Sequence, residues 1–406
     1  MSLAGAAAWF TAAFLSASLF SHTVALRLAF LVGGAVLAAA TVVRGRGDIR
    51  ILPAIWLPFL LWGTWAALSI TWSLEPARTL KEVHNEIVYT GVALWVCFVG
   101  AQAANAARIV VPVVGAAAAS VMAIGVYEFS LGWENYLEGL HGGPGDHSSA
   151  LLILMPCIAL TGWYGWRARW SWWRHVPALS IGGLALLGAY CTVNRTIWIG
   201  FAAEFLLVGS LAILRTRTRG SWSTRTQFVS GLVAVALVVG VALVLSAVQA
   251  HREAIGGKSL ANDTRLALWP EIVERIGERP LTGYGFGRGL LRKPLHAEFG
   301  DLDAMLWHAH NIFLEQLLQL GVPGLALFLL LMAALLREGW RAARDSNDVR
   351  AACGMALMAV VAGMLVRNMT DTLFVRQSSL LFWGVAGTLL GLAVLPGKRS
   401  ARGIAA

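Results

Sequence analysis

The residues with most chemical reach in this chain are one histidine, a few arginines and a late aspartate, far apart in sequence. His310 opens a long apolar run, with Asn311 beside it and Glu315 four positions past that. An imidazole there titrates near neutral pH and can act as general base or hydrogen-bond donor. The alternative is an interfacial histidine that caps a helix. Arg195 lies in a two-residue turn, Asn194-Arg195, between two apolar runs. It is either a snorkelling helix-end arginine or a donor held at the membrane surface. Arg265 and Arg288 read singly as solvated charges. Together with Arg195 they offer planar donors suited to phosphate oxygens. Asp371, in the turn Asn368-Met369-Thr370-Asp371, either orients the imidazole or an arginine, or N-caps the next helix.

Other patterns carry less. Gly283-Tyr284-Gly285-Phe286-Gly287-Arg288-Gly289 follows no strand of a βαβ unit, so the dinucleotide reading fails its context. A backbone anion nest or a simple turn remains. Asp301-Leu302-Asp303 has no third acid or histidine at ligand spacing, and no HExxH occurs. His308 and His310, two apart, do not share a helix face. The expectation is chemistry without a metal or other cofactor. Cys97, Cys157, Cys191 and Cys353 lie in apolar runs as lone buried thiols.

The elements that must position these residues are membrane helices. The chain has 406 residues, of which 57% are hydrophobic and only 13% charged, with a mean hydropathy of +0.66. A soluble domain carries about 25% charged residues, and no soluble surface tolerates so much exposed apolar area. Apolar runs predict about twelve spans, near 6–20, 24–43, 52–72, 87–104, 109–127, 148–166, 176–193, 196–214, 228–248, 311–336, 351–367 and 378–395. The first has no basic residue before it and reads as a retained span. Spans one to nine thus fill 1–248, a large loop with short helices fills 249–309, and spans ten to twelve fill 310–406.

One set of short loops holds eighteen Lys and Arg, the other five. The positive-inside rule then places both termini in the cytoplasm and the 249–309 loop outside. The cytoplasmic edge, with Trp163, Trp166, Trp170, Trp172 and Trp173, is ordinary anchoring. Nothing there suggests nucleic acid or nucleotide, despite a net charge of +10. The outer face gathers what anchoring does not require. The 128–147 loop holds Trp133, Tyr136, His141 and His147 among glycines. An amphipathic helix is predicted through Leu266, Leu268, Trp269, Ile272, Val273 and Ile276.

His310-Asn311, nine residues, then Gly321-Val322-Pro323-Gly324 resembles the H-[NSV]-x9-G-x-x-G signature of the O-antigen ligases, a superfamily that includes O-antigen polymerases. The span number, the large outer loop and the arginine opening span eight resemble the family too. The resemblance implies an all-α polytopic fold of the GT-C type in the bacterial inner membrane. It implies an inverting transfer of glycan from undecaprenyl diphosphate-linked O-antigen to a sugar hydroxyl of lipid A–core at the periplasmic face. No metal or nucleotide takes part. His310 would be the base, Arg195 with Arg265 or Arg288 would face the diphosphate, and Asp371 would hold a partner. Asn311, Tyr284, Trp269 and His147 are the expected substrate-binding side chains.

Two rivals stand beside that reading. A polymerase would use the same arginines with a second lipid-linked glycan as acceptor, although polymerases tend to carry two sizeable outer loops. A transporter or flippase of lipid-linked glycan would need intramembrane ionisable residues. Only Arg27, Glu204 and a few helix-end residues qualify.

Overall fold

The computed structural model describes residues 2–44, 49–218, 240, 243–250, 265–290, 308–372 and 374–395. Among them every regular element is helical, and nine helical stretches are long and apolar enough to cross a membrane. The chain is an all-α polytopic membrane protein. Most of the ninth expected span, the DxD at 301–303 and much of the 249–309 loop lie outside the described residues.

The helices are α1 (Leu3–Ala17), α2 (Val24–Arg44), α3 (Pro53–Leu68), α4 (Pro76–Val83) and α5 (Tyr89–Gly100). Next come α6 (Ala106–Ser130), α7 (Trp133–Leu137), α8 (Gly143–Arg167), α9 (Val176–Cys191) and α10 (Arg195–Thr218). The amphipathic helix α11 (Arg265–Glu278) precedes α12 (Ile312–Ala343), α13 (Asp348–Arg367) and α14 (Arg376–Val394). Their apolar surfaces make one continuous core. In it α14 lies along α5, and α13 touches α8, α10, α12 and α14. Exposed Val32, Val36, Leu57, Leu60 and Leu179 are the surface that hydrocarbon covers.

Two sequence expectations change here. The span expected at 87–104 is part of a helical stretch that starts at Pro76, with a π-helical turn, His84–Val88, between α4 and α5. The 128–147 segment contains α7, and α8 starts at Gly143, which takes His147 into a helix.

The feature that shapes the site is a break in α12. Gly321 has φ 66° and ψ −170°, a left-handed φ that glycine adopts without a Cβ clash. A Cβ there would meet Leu281 C at 2.5 Å and Pro280 O at 2.6 Å, so the 280–285 segment crosses directly over the break. Backbone groups freed by the kink pair with that segment. Val322 N donates to Pro280 O (2.7 Å), Tyr284 N to Leu318 O (3.0 Å) and Gly285 N to Gln319 O (3.0 Å). Trp65 Nε1 takes up Leu320 O at 3.0 Å. The glycine-rich turn is thus a strap across a broken helix, and it carries Arg288.

Candidate active site

Asn311 is the N-cap of α12, its Oδ1 accepting from Phe313 N (2.9 Å) and Leu314 N (3.2 Å). Its amide Nδ2 donates to Met369 O (2.9 Å), and Ile312 N donates to Asn368 O (2.8 Å). These bonds pin the 308–311 turn to the end of α13. Trp269 of α11 braces it from above, Nε1 donating to Ala309 O at 3.0 Å. His310 therefore does not cap the helix. It has φ 48°, a conformation costing about 1–3 kcal/mol in a non-glycine residue and found mostly where surroundings impose it.

That turn folds the two histidines together. Their ring centroids lie 3.7 Å apart, although a helical register would have separated them. His310 Nδ1 is 3.6 Å from Asp371 Oδ1, and Asp371 Oδ2 is 3.7 Å from Nη1 of fully buried Arg367. Asp371 Oδ1 also accepts from Thr372 N at 2.8 Å. The N-cap of α14 is Val375, so Asp371 serves His310 and Arg367 rather than that helix. On the other side Arg288 Nη2 lies 2.5 Å from His308 Nε2, and His310 N donates to His308 Nδ1 at 3.1 Å. Buried Glu315 accepts from Ala309 N (2.7 Å) and Gln319 Nε2 (2.6 Å).

Burial by itself would raise the Asp371 carboxyl. His310, Arg367 and the Thr372 amide outweigh it and hold Asp371 below the usual carboxylate range. Burial first, then His310 and Arg288, pushes His308 down to about 2. Burial also lowers Arg288, against the opposing pull of Glu315 and Asp371. The site therefore holds an ionised aspartate and a neutral imidazole between guanidinium groups.

Of the residues expected from sequence, His310 and Asp371 come together directly, and Arg288 joins them through His308. Arg265, first residue of α11, is close enough to act electrostatically on His308 and Arg367. Arg195 opens α10 just after Val193, itself at φ 50°, and its Nη1 donates to Gln249 (2.5 Å). Tyr284 is buried against Leu268, Ile272 and Leu318, with its hydroxyl on Arg275 O and Glu278. His147 bonds Tyr136 at 2.8 Å, and its ring lies 4.6 Å from His141, in a separate cluster. Sequence reasoning missed His308 and Arg367. The i, i+4 spacing of Arg367 and Asp371 was the available signal.

His308, His310 and Asp371 bring three ligand-type atoms within 4.8 Å of one another. Arg288 on His308 and Arg367 on Asp371 place positive charge against the same three groups.

Residues 181–329 match the family described as O-antigen ligase. Arg195, Arg265, Arg288 and His310 fall inside that segment, and Asp371 lies beyond it. Three rickettsial proteins bearing the provisional name polysaccharide ligase are similar to parts of the chain. The one from Rickettsia conorii is 32% identical over 117 residues, 26% of this chain and 28% of its own length. That from Rickettsia felis is 29% identical over 147 residues, 34% and 36% of the two chains. That from Rickettsia typhi is 37% identical over 79 residues, 18% and 20%. The chain thus spans roughly a fifth to a third of the length of these relatives.

Proposed function

From the match of residues 181–329 to the O-antigen ligase family we propose that the chain is an inverting membrane glycosyltransferase. It moves O-antigen glycan from undecaprenyl diphosphate to a sugar hydroxyl of lipid A–core. The reaction takes place at the periplasmic face of the bacterial inner membrane, with both termini of the chain in the cytoplasm. The observation that carries this reading is the line Arg367–Asp371–His310, at 3.7 and 3.6 Å, with Arg288 joined to it through the His308 ring.

Asp371 faces Nδ1 of His310, and the acceptor is assigned to Nε2. The acceptor hydroxyl loses its proton to Nε2 as its oxygen attacks the anomeric carbon. The bond from that carbon to the lipid diphosphate breaks on the opposite side, and the configuration inverts. Asp371, ionised at neutral pH, stabilises the imidazolium that forms. Arg288, Arg265 and Arg195 supply guanidinium donors for the charge developing on the leaving diphosphate, in place of a metal.

The test is transfer by purified protein from an undecaprenyl diphosphate-linked glycan to lipid A–core in the presence of EDTA. The expected outcome is transfer that survives the chelator and falls by about 10²–10⁴-fold in His310→Ala, the usual contribution of a positioned general base. Folded His310→Ala and Arg195→Ala variants working at wild-type rates would remove the mechanism. Elongation of the lipid-linked glycan with no transfer to core would move the assignment to a polymerase.

A further inference from the structure

The guanidinium of Arg367 reaches two side chains among the described residues. Its Nη1 lies 3.7 Å from Asp371 Oδ2, and its Nη2 donates to Ser148 Oγ at 2.9 Å. Arg367 and Ser148 are both fully buried, and a charged donor that loses its acceptor in such surroundings is costly.

Ser148 is arranged to accept. Its own O–H donates to Gly145 O at 2.8 Å, which leaves the oxygen lone pairs for Arg367. The first turns of α8 that carry it are held on either side. Asp146 Oδ1 accepts from Ser378 Oγ of α14 at 2.8 Å, and His147 bonds Tyr136 of α7. Three successive residues of α8 thus grip three different helices, and Ser148 is the one turned to α13.

Asp371 is shared almost evenly, 3.6 Å from His310 and 3.7 Å from Arg367. A guanidinium with no second anchor would close on that carboxylate as a bidentate pair and draw it away from the imidazole. The bond to Ser148 at the other terminal nitrogen opposes that movement.

We propose that Ser148 is a positioning residue for glycan transfer: by holding Nη2 of Arg367, it keeps Asp371 within reach of His310. This rests on the reading of His310 as the base. Both Ser148 and Arg367 are shut away from substrate, so the effect falls on the chemical step and not on binding. His308, Arg288, Arg265 and Glu315 also act on this group of charges, and they are the same in every variant below.

The experiment compares wild type, Ser148→Ala, Ser148→Cys and Ser149→Ala as full chains in detergent, with initial transfer rates followed against donor, acceptor and pH. Ser149 is the internal control. It is buried in the same turn and its hydroxyl also donates to Gly145 O (3.0 Å), but it does not bond Arg367. Ser148→Cys keeps the volume and a weak S–H donor while accepting poorly, which guards against misfolding of the alanine variant. The expected result is a fall in kcat of about tenfold or more in Ser148→Ala and a smaller fall in Ser148→Cys, since slight misplacement of a reacting group can cost about 10²-fold. Both KM values should hold. The acid limb of the rate profile should move to lower pH, because an imidazole that loses its carboxylate holds its proton less tightly. Ser149→Ala should match wild type. Equal losses in the two alanine variants, a loss confined to KM, or an unmoved acid limb would overturn the proposal, and the base assignment would stand as long as His310→Ala is inactive. Wild-type rates in His310→Ala would remove the base reading instead. Histidine ¹⁵N spectra, with the His310 signal identified by its absence in His310→Ala, then decide the positioning separately: that signal should titrate at lower pH in Ser148→Ala than in wild type, and an unmoved titration would show that Ser148 does not govern Asp371.

Discussion

Nε2 of His308 faces the Arg288 guanidinium and its Nδ1 faces the His310 amide, so donors approach the ring from both sides. A neutral imidazole has one acceptor nitrogen for them, and an imidazolium has none. Protonation would break the arrangement, in keeping with a value pushed down to about 2 by burial, His310 and Arg288. The stability consequence has a definite sign. Unfolded, the residue binds its proton near pH 6.5; folded, it does not. Its contribution is complete above about pH 6.5 and is lost progressively as pH falls toward 2, at up to about 1.4 kcal/mol per pH unit. Melting temperature should therefore drop on acidification from pH 7 to 5, and His308→Gln should flatten that slope. An unchanged slope in the variant would show that other groups set it; His141, also lowered by burial, acts in the same direction.

Helix α12 is useful because it is broken. An unbroken helix would pair Leu320 O internally and leave nothing to hold the 280–285 strap that presents Arg288. Gly321→Ala would put a Cβ 2.5 Å from Leu281 C at a left-handed φ. The strain alone is about 1–3 kcal/mol, and the strap must move to relieve it. We expect a lower melting temperature and at least a tenfold loss of transfer, with donor binding weakened through Arg288. Gly324→Ala is no neutral control, since its Cβ would run into Leu320 Cβ of the same helix. Wild-type activity in Gly321→Ala would mean that the strap does not set the arginine's position.

Across the whole bundle the polar residues divide between two ends. One holds His308, His310, Asp371, Arg367 and the cluster of Tyr136, His141 and His147. The other holds Arg215, which donates to Ala343 O (3.0 Å), Asp345 O (2.5 Å) and Asp348 (2.8 Å) and so closes the end of α12 onto α13. Intramembrane Arg27 bonds Gln377 at 3.3 Å, a link between helices rather than a pathway lining. The proposed orientation is checked with single cysteines at exposed Ser130 and Ser171 and a membrane-impermeant maleimide. Ser130→Cys should label in cells whose outer membrane alone is permeable, and Ser171→Cys only after lysis. The reverse pattern would invert the topology.

Composition alone settled that this is a helical membrane protein, because 57% hydrophobic and 13% charged residues leave no soluble solution. The spacing from His310 to Gly321–Gly324 marked one wall of the site, since local motifs encode local turns: a helix start, a glycine kink. Sequence also predicted α11 correctly, because amphipathic periodicity is a short-range signal. Other facts needed the fold. That His308 stacks on His310 depends on a left-handed turn that no propensity announces. That Asp371 serves the histidine rather than capping α14 depends on where α13 ends against α12. That Tyr284 and Trp269 are bonded to protein groups depends on how α11 lies over the strap. Ser148, 219 residues from Arg367 in sequence, meets it only through the packing of α8 on α13. Periodicity and composition are properties of neighbours along the chain. Convergence of charges is a property of helix packing, and it was the tertiary structure that decided which charges meet.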